Sequence, residues 1–94
     1  MLRTIKILVS GEVQGVFYRQ KTKETATQLR INGNVMYLPD GSVEIIATGT
    51  TEQLDKLTEW CRTGPPKATV TNVVMEELPL QQFDQFIIKR FYTE

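Results

Sequence analysis

Hydrophobic and polar residues alternate near the start of the chain. Over residues 4–10, Ile5, Ile7 and Val9 share one face, and the residues between them share the other. A period of two residues is typical of a strand that buries one face. The alternation therefore predicts a first strand over residues 4–10.

A helical pattern follows this strand. The positions that repeat at the spacing of a helix are Tyr18, Thr22, Ala26 and Leu29. They form one face of an amphipathic helix, because residues three or four apart lie on the same side. We predict a helix over residues 18–30, ended by a left-handed turn at Asn32 and Gly33.

A second apolar stripe indicates a second helix. Its members are Leu54, Leu57, Trp60 and Cys61. Thr50 followed by Gln53 has the spacing of a capping box at the start of a helix. Gly64 and the prolines behind it end the helix, because glycine favours a left-handed cap and proline cannot continue the hydrogen-bond ladder.

The other segments have the pattern of strands. Residues 34–38 and 42–48 flank the turn-forming sequence Pro-Asp-Gly and predict an antiparallel hairpin, with Val43, Ile45 and Ala47 facing the core. Residues rich in Val and Thr predict a fourth strand over 68–77, and residues 83–92 predict a fifth.

The order of these elements predicts the fold. It is βαββαβ with an appended strand, and right-handed crossovers place both helices on one face of a single sheet. We therefore predict one domain over residues 1–94, with the α/β ferredoxin-like sandwich fold.

A glycine-punctuated run, Gly-Glu-Val-Gln-Gly-Val-Phe-Tyr-Arg, joins the first strand to the first helix. Gly11 and Gly15 permit backbone dihedrals that turn successive amide N–H groups towards one point. The helix start adds unpaired N–H groups and the positive end of its dipole, and Arg19 adds a fork of charged donors. Such a turn can bind phosphate or carboxylate. A tight connection with a solvated arginine is the alternative that these residues leave open.

Composition narrows the classes of function. The chain has 94 residues, 40% hydrophobic and 23% charged, as in a small globular domain. Eleven basic residues balance eleven acidic ones, which argues against a general nucleic-acid binder. One cysteine and no histidine exclude an internal disulfide, a Cys/His zinc site and His-dependent catalysis.

We expect no signal peptide at the start of the sequence. Met1-Leu2-Arg3 leads directly into the first strand, without an apolar run long enough for a signal peptide or a membrane span. The lone cysteine fits a reducing compartment. We therefore expect a cytoplasmic protein without a membrane partner.

Three blocks of the sequence resemble the acylphosphatase family. They are the run over residues 11–19, residues 33–44 and Gly64-Pro65, in the family's order and spacing over nearly all of the chain. The resemblance implies a ferredoxin-like hydrolase that splits the carboxyl-phosphate bond of small acyl phosphates. It implies acyl phosphate or inorganic phosphate as ligand and neither a metal nor an organic cofactor. A monomer is the simplest expectation.

The resemblance also implies the residues of a phosphate site. Arg19 matches the family residue that binds the substrate phosphate and is needed for turnover. The backbone of the preceding residues would form the rest of the phosphate cradle: Gln14, Gly15, Val16, Phe17 and Tyr18. We expect the side chains of Phe17 and Tyr18 to pack rather than to contact the ligand.

The chain departs from the family pattern at Tyr37. The family has asparagine here, and its amide is thought to orient the attacking water. Asn34 is a poor replacement, because an odd offset on a strand points to the opposite face. The Tyr37 hydroxyl can hold a water elsewhere or fill its place. We predict slowed hydrolysis, and the alternative is a phosphate-binding module that has lost turnover.

Other candidates for chemistry are weaker. The carboxylates have no spacing that requires general acid and base roles: Asp40, Glu44, Glu76 and Glu77. We expect Cys61 to be a core residue, and Lys89 and Arg90 to form a solvated edge that can border the anion site. The run over residues 11–19 lacks the Gly-Lys-Ser/Thr ending of a nucleotide P-loop. Residues 42–49 lack the aromatic residues that RNA-recognition modules with this element order expose.

Overall fold

Five strands and two helices make up residues 1–90, the part of the chain that the computed structural model describes. In chain order they are β1 (Arg3–Glu12), α1 (Tyr18–Gln28), β2 (Asn32–Tyr37), β3 (Val43–Gly49), α2 (Thr51–Thr63), β4 (Thr69–Leu78) and β5 (Phe86–Ile88). The predicted order is confirmed. No helix of this part of the chain is long and apolar enough to cross a membrane.

The strands form one sheet in the order β4-β1-β3-β2-β5. Neighbouring strands are antiparallel, except that β2 and β5 are parallel. Both helices pack on the same face of this sheet, in one core with its inward side chains. The molecule is therefore a ferredoxin-like α/β sandwich with an added strand, as the sequence predicts.

The core lies between the sheet and the helices. The alternating residues of β1 pair with those of β3, and all of them are fully buried: Ile5, Ile7, Val9, Val43, Ile45 and Ala47. The helices contribute the predicted stripes, including Tyr18, Ala26, Leu54, Leu57 and Cys61. Removal of this apolar surface from water is the main force that holds the helices to the sheet.

The segment between β4 and β5 crosses the other face of the sheet. It has to cross the sheet because these strands lie at opposite edges. A row of polar side chains fixes the crossing. The Thr48 hydroxyl donates to the carbonyl of Gln81 (2.8 Å), the N–H of Gln81 donates to the Thr4 hydroxyl (2.8 Å), and the Asn32 amide donates to the carbonyl of Phe83 (3.0 Å).

The predicted bounds of the fifth strand are wrong at its start. Phe83 lies in the crossing segment, and pairing with β2 begins only at Phe86, after the chain has reached the far edge. The predicted end of this strand, residues 91 and 92, lies outside the described residues.

Gly11 belongs to β1 rather than to the turn. The pairing of β1 with β4 shifts register between Ser10 and Gly11, as at a β-bulge. Gly11 has φ 130°, and a Cβ there would lie 2.1 Å from the carbonyl oxygen of Thr69. Position 11 needs a glycine because β1 and β4 approach each other closely there. Gly11 is part of a strand, so the prediction that it turns amides towards an anion is wrong.

The end of α1 also differs from the prediction. Arg30, not Asn32-Gly33, takes the left-handed conformation, with φ 62°. The N–H of Arg30 bonds to the carbonyl of Thr27 (3.1 Å) and that of Ile31 to the carbonyl of Ala26 (2.9 Å), which is a Schellman motif. At the start of α2, the predicted capping box of Thr50 and Gln53 is confirmed.

Candidate active site

The loop between β1 and α1 presents unpaired amides. Gly15 has φ 69° and Phe17 has φ 63°. Left-handed residues in such a turn bring neighbouring N–H groups to one side, as in anion-binding nests. The N–H groups of residues 14–17 have no backbone acceptor within residues 1–90. A Cβ added to Gly15 would meet nothing within 4 Å, so this backbone borders open space.

The N-terminus of α1 adds to these amides. Its cap residue, Phe17, gives no side-chain hydrogen bond, and no acidic residue lies in the first turn. The first intrahelical bond runs from the N–H of Lys21 to the carbonyl of Phe17 (3.0 Å). The N–H groups before Lys21 and the positive end of the dipole are therefore available to an anion.

Arg19 is half-buried beside this loop. Its guanidinium carbon lies 4.5 Å from the centroid of the Tyr37 ring, and its Nη1 donates to the carbonyl of Lys89 (3.4 Å). No ion pair joins it to a carboxylate in the part of the chain that is described. The positive charge of Arg19 is therefore held in place and not neutralised.

A cavity of about 270 Å³ lies between the loop, α1 and the end of β5. The residues that line it are Gly15, Phe17, Arg19, Gln20, Tyr37, Ile88 and Arg90. Among residues 1–90, two guanidinium groups and no carboxylate line this space, so this lining favours an anion. The described residues contain no cluster of side chains that could hold a metal ion.

Comparisons with known proteins agree with this geometry. The profile of the acylphosphatase family matches residues 5–88. A curated acylphosphatase of Marinobacter nauticus is 51% identical over 81 residues, which cover 85% of this chain and 88% of that protein. One of Methylococcus capsulatus is 41% identical, with 95% and 98% covered. The chain belongs to the acylphosphatase family.

The fold supports the same assignment. The solved structure of an acylphosphatase from Coxiella burnetii matches with a TM-score of 0.91 and 39% identity, over 94% of this chain and 93% of that one. The family and these relatives support an acylphosphatase hydrolase.

The structure brings only some of the predicted acylphosphatase site residues to the cavity. Gly15, Phe17, Arg19 and Tyr37 line it. Val16 is half-buried and packs against the core instead.

Tyr18 packs as predicted. It is fully buried, its hydroxyl donates to the carbonyl of Cys61 (2.8 Å), and its ring lies 5.4 Å from that of Trp60. The Gln14 side chain is also directed away from the cavity lining. Its Nε2 lies 3.1 Å from the position of a Cβ on Gly41. These two residues are placed to serve an anion through their backbone only.

Phe17 does not pack as predicted. Its side chain is 77% exposed and forms part of the cavity wall. The left-handed backbone at this position turns the ring out of the helix face that the core covers. One feature of the sequence indicates this exposure: the apolar stripe of the helix begins at Tyr18 and does not include Phe17.

Tyr37 is held at the family's asparagine position by two contacts. Its hydroxyl donates to the carbonyl of Val13 (2.7 Å), and the face of its ring lies against Arg19. The hydroxyl proton is therefore used within the protein, and only oxygen lone pairs remain for a water. Asn34 pairs with Ile46 on the opposite face of the sheet, as predicted.

The other candidates for chemistry do not line the cavity: Asp40, Glu44, Glu76, Glu77 and Cys61. Asp40 accepts hydrogen bonds from the hydroxyl (2.6 Å) and the N–H (2.9 Å) of Ser42, which lower its pKa. Cys61 is buried, and burial raises its pKa to about 12, so it is no nucleophile. Glu76 and Glu77 pair with basic side chains of β1.

The end of β5 is closer to the site than the predicted solvated edge. The carbonyl of Lys89 contacts Arg19, and Arg90 lines the cavity while remaining exposed. Both residues follow Ile88, whose strand pairs with β2 beside Tyr37. Lys89 and Arg90 therefore border the cavity. That this cavity is the anion site stays a prediction.

Proposed function

We propose that this acylphosphatase hydrolyses the carboxyl-phosphate bond of small acyl phosphates at the cavity beside Arg19. One observation carries the proposal: unpaired amides, a helix N-terminus and an unneutralised guanidinium all border the same open space. The family profile and the curated relatives support the activity.

The proposed mechanism begins with binding of the phosphate. The amides of residues 14–18 and the guanidinium of Arg19 hold its oxygens. They oppose the charge that develops as water attacks phosphorus in line with the leaving oxygen. The bond from phosphorus to the acyl oxygen breaks, a carboxylate leaves, and the water becomes part of the phosphate.

The chemistry explains why this site needs no strong general acid. A carboxylic acid has a pKa of about 4, so the leaving group departs as an anion at neutral pH without a proton from the protein. The proton released by water passes to phosphate or to solvent. Catalysis then consists mainly of positioning and charge stabilisation, which amides and an arginine supply.

Tyr37 sets the rate in this proposal. It replaces the amide that would orient water, and its own hydroxyl is committed to Val13. Phosphate binding would survive this replacement, and hydrolysis would be slowed. A phosphate-binding module without turnover is the second candidate, and the bond to Val13 is the observation that favours it.

Arg19→Ala tests the assignment of the anion site. We expect inhibition by inorganic phosphate and hydrolysis of benzoyl phosphate both to be lost, because the variant lacks the guanidinium that Tyr37 holds beside the amides. Arg62→Ala is the matched control, since Arg62 is exposed on α2 and outside the cavity. An unchanged inhibition constant for phosphate in Arg19→Ala would refute the site.

We also propose that the chain acts as a single-domain cytoplasmic monomer without a nucleic-acid partner. The balance of eleven basic and eleven acidic residues supports the last point, and the buried lone cysteine fits a reducing compartment. Size-exclusion chromatography with light scattering tests the monomer, and a mass near 21.6 kDa, twice the 10.8 kDa of the chain, would contradict it.

A further inference from the structure

Phe17 combines two unfavourable features. Its backbone is left-handed, with φ 63° and ψ 27°, a conformation that glycine adopts without the steric penalty of a side chain. Its large apolar side chain is 77% exposed. Two residues earlier, position 15 has nearly the same φ, 69°, and is occupied by a glycine. Folding of this loop therefore gives no reason for a phenylalanine at position 17.

The ring of Phe17 has no packing role within the described residues. It is absent from the core cluster, and the aromatic pair found within residues 1–90 joins Tyr18 to Trp60. Instead it lines the cavity with Arg19. Strained backbone and exposed apolar surface at a binding cavity point to a role in function.

The cavity has an apolar side and a cationic side. Phe17, Ile88 and the ring of Tyr37 contribute apolar surface, while Arg19 and the unpaired amides contribute donors for phosphate. An acyl phosphate has the same division, because its phosphate is charged and its acyl group can be apolar. The phosphate of the substrate therefore matches the cationic side of the cavity, and its acyl group matches the apolar side.

We propose that Phe17 and Ile88 form a subsite for the acyl group, and that the chain selects acyl phosphates with aromatic or bulky apolar acyl groups. Phe17 is then a specificity-determining residue for the reaction. This inference rests on the proposed function, because the phosphate must lie beside Arg19 for the acyl group to reach the ring.

The test compares two substrates in variants of Phe17. The ratio of kcat/KM for benzoyl phosphate to that for acetyl phosphate is measured in the unmodified chain and in Phe17→Gly, Phe17→Ala and Phe17→Leu. We expect the ratio to fall about tenfold in the Gly and Ala variants, the lower range for loss of apolar contacts in a pocket, and to be partly kept in the Leu variant. Met75→Ala is the control, because Met75 is an exposed apolar residue of β4 outside the cavity.

Thermal unfolding of the same variants separates this role from a structural one. Phe17→Gly should unfold at the same or a higher temperature, because it relieves the left-handed strain. A packing role would instead lower the unfolding temperature. A ratio that stays the same in the Gly and Ala variants, or that falls equally in Met75→Ala, would overturn the proposal. So would a preference for succinyl phosphate over benzoyl phosphate, since Arg90 would then select a second anion.

Failure of the proposed function can be distinguished from failure of this inference. If the unmodified chain hydrolyses neither substrate, the proposed function fails, and binding of benzylphosphonate is compared with that of methylphosphonate by calorimetry. The subsite predicts tighter binding of benzylphosphonate and about a tenfold loss of that preference in Phe17→Ala. Equal binding of the two phosphonates would contradict it.

Discussion

At the scale of single residues, we propose that Tyr37 limits the rate of hydrolysis. Its ring lies against Arg19 and its hydroxyl is bonded to Val13. In this proposal one side chain therefore both positions the guanidinium and takes the place where the family resemblance implies an asparagine. The two effects oppose each other. Positioning favours phosphate binding, while loss of a water-orienting amide disfavours turnover.

Tyr37→Asn separates these effects. We expect kcat for benzoyl phosphate to rise on the order of 10²-fold, the scale of one pre-organised donor in a catalytic site. Tyr37→Phe is the control, because it keeps a ring beside Arg19 and removes only the hydroxyl, and it should remain slow. If kcat does not rise in Tyr37→Asn, the explanation for slowed hydrolysis is wrong.

The sequence reveals the position of Tyr37 but not its contacts. The bond to Val13 joins residues 24 positions apart and depends on how β2 lies beside the end of β1. The exposure of Phe17 is likewise not predicted from the sequence, since it follows from one backbone dihedral. The place of Arg19 beside the loop, by contrast, follows from local features, because neighbouring residues in the sequence identify a glycine turn before a helix.

At the scale of elements, strand and helix order follows from the sequence more reliably than the ends do. Periodicity identifies β1 and both helices, because buried faces repeat along them. Turn residues and Val- and Thr-rich composition identify the other strands. The ends depend on individual dihedrals and on neighbouring strands. Gly11 extends β1 through a bulge against β4, and Arg30 ends α1 where Asn32-Gly33 was expected to do so.

Arg30→Gly tests the description of this helix end. We expect the free energy of unfolding to rise by about 0.5–1 kcal/mol, the left-handed penalty of a side chain less the extra freedom of glycine in the unfolded chain. Urea unfolding measures the change. Lys23→Gly, at an exposed position inside α1, should instead lower the free energy by about 1 kcal/mol. A loss in both variants would contradict the left-handed assignment.

At the scale of the whole molecule, the crossing from β4 to β5 completes the lining of the cavity. It carries the chain to the far edge of the sheet, where the carbonyl of Lys89 and the side chain of Arg90 reach the cavity. Thr4, Thr48 and Asn32 fix the crossing on the opposite face. The sequence predicts β5 but not the edge of the sheet at which β5 lies, because that position depends on how all the strands are arranged.

The central claim is that amides of the loop before α1 and the guanidinium of Arg19 converge on one phosphate. Titration of the unmodified chain with inorganic phosphate, followed by amide chemical shifts in ¹H–¹⁵N spectra, tests it most directly. We predict saturable shifts concentrated at residues 14–19 and their loss in Arg19→Ala. Shifts that are absent, that are scattered over the surface, or that persist unchanged in Arg19→Ala would contradict the claim.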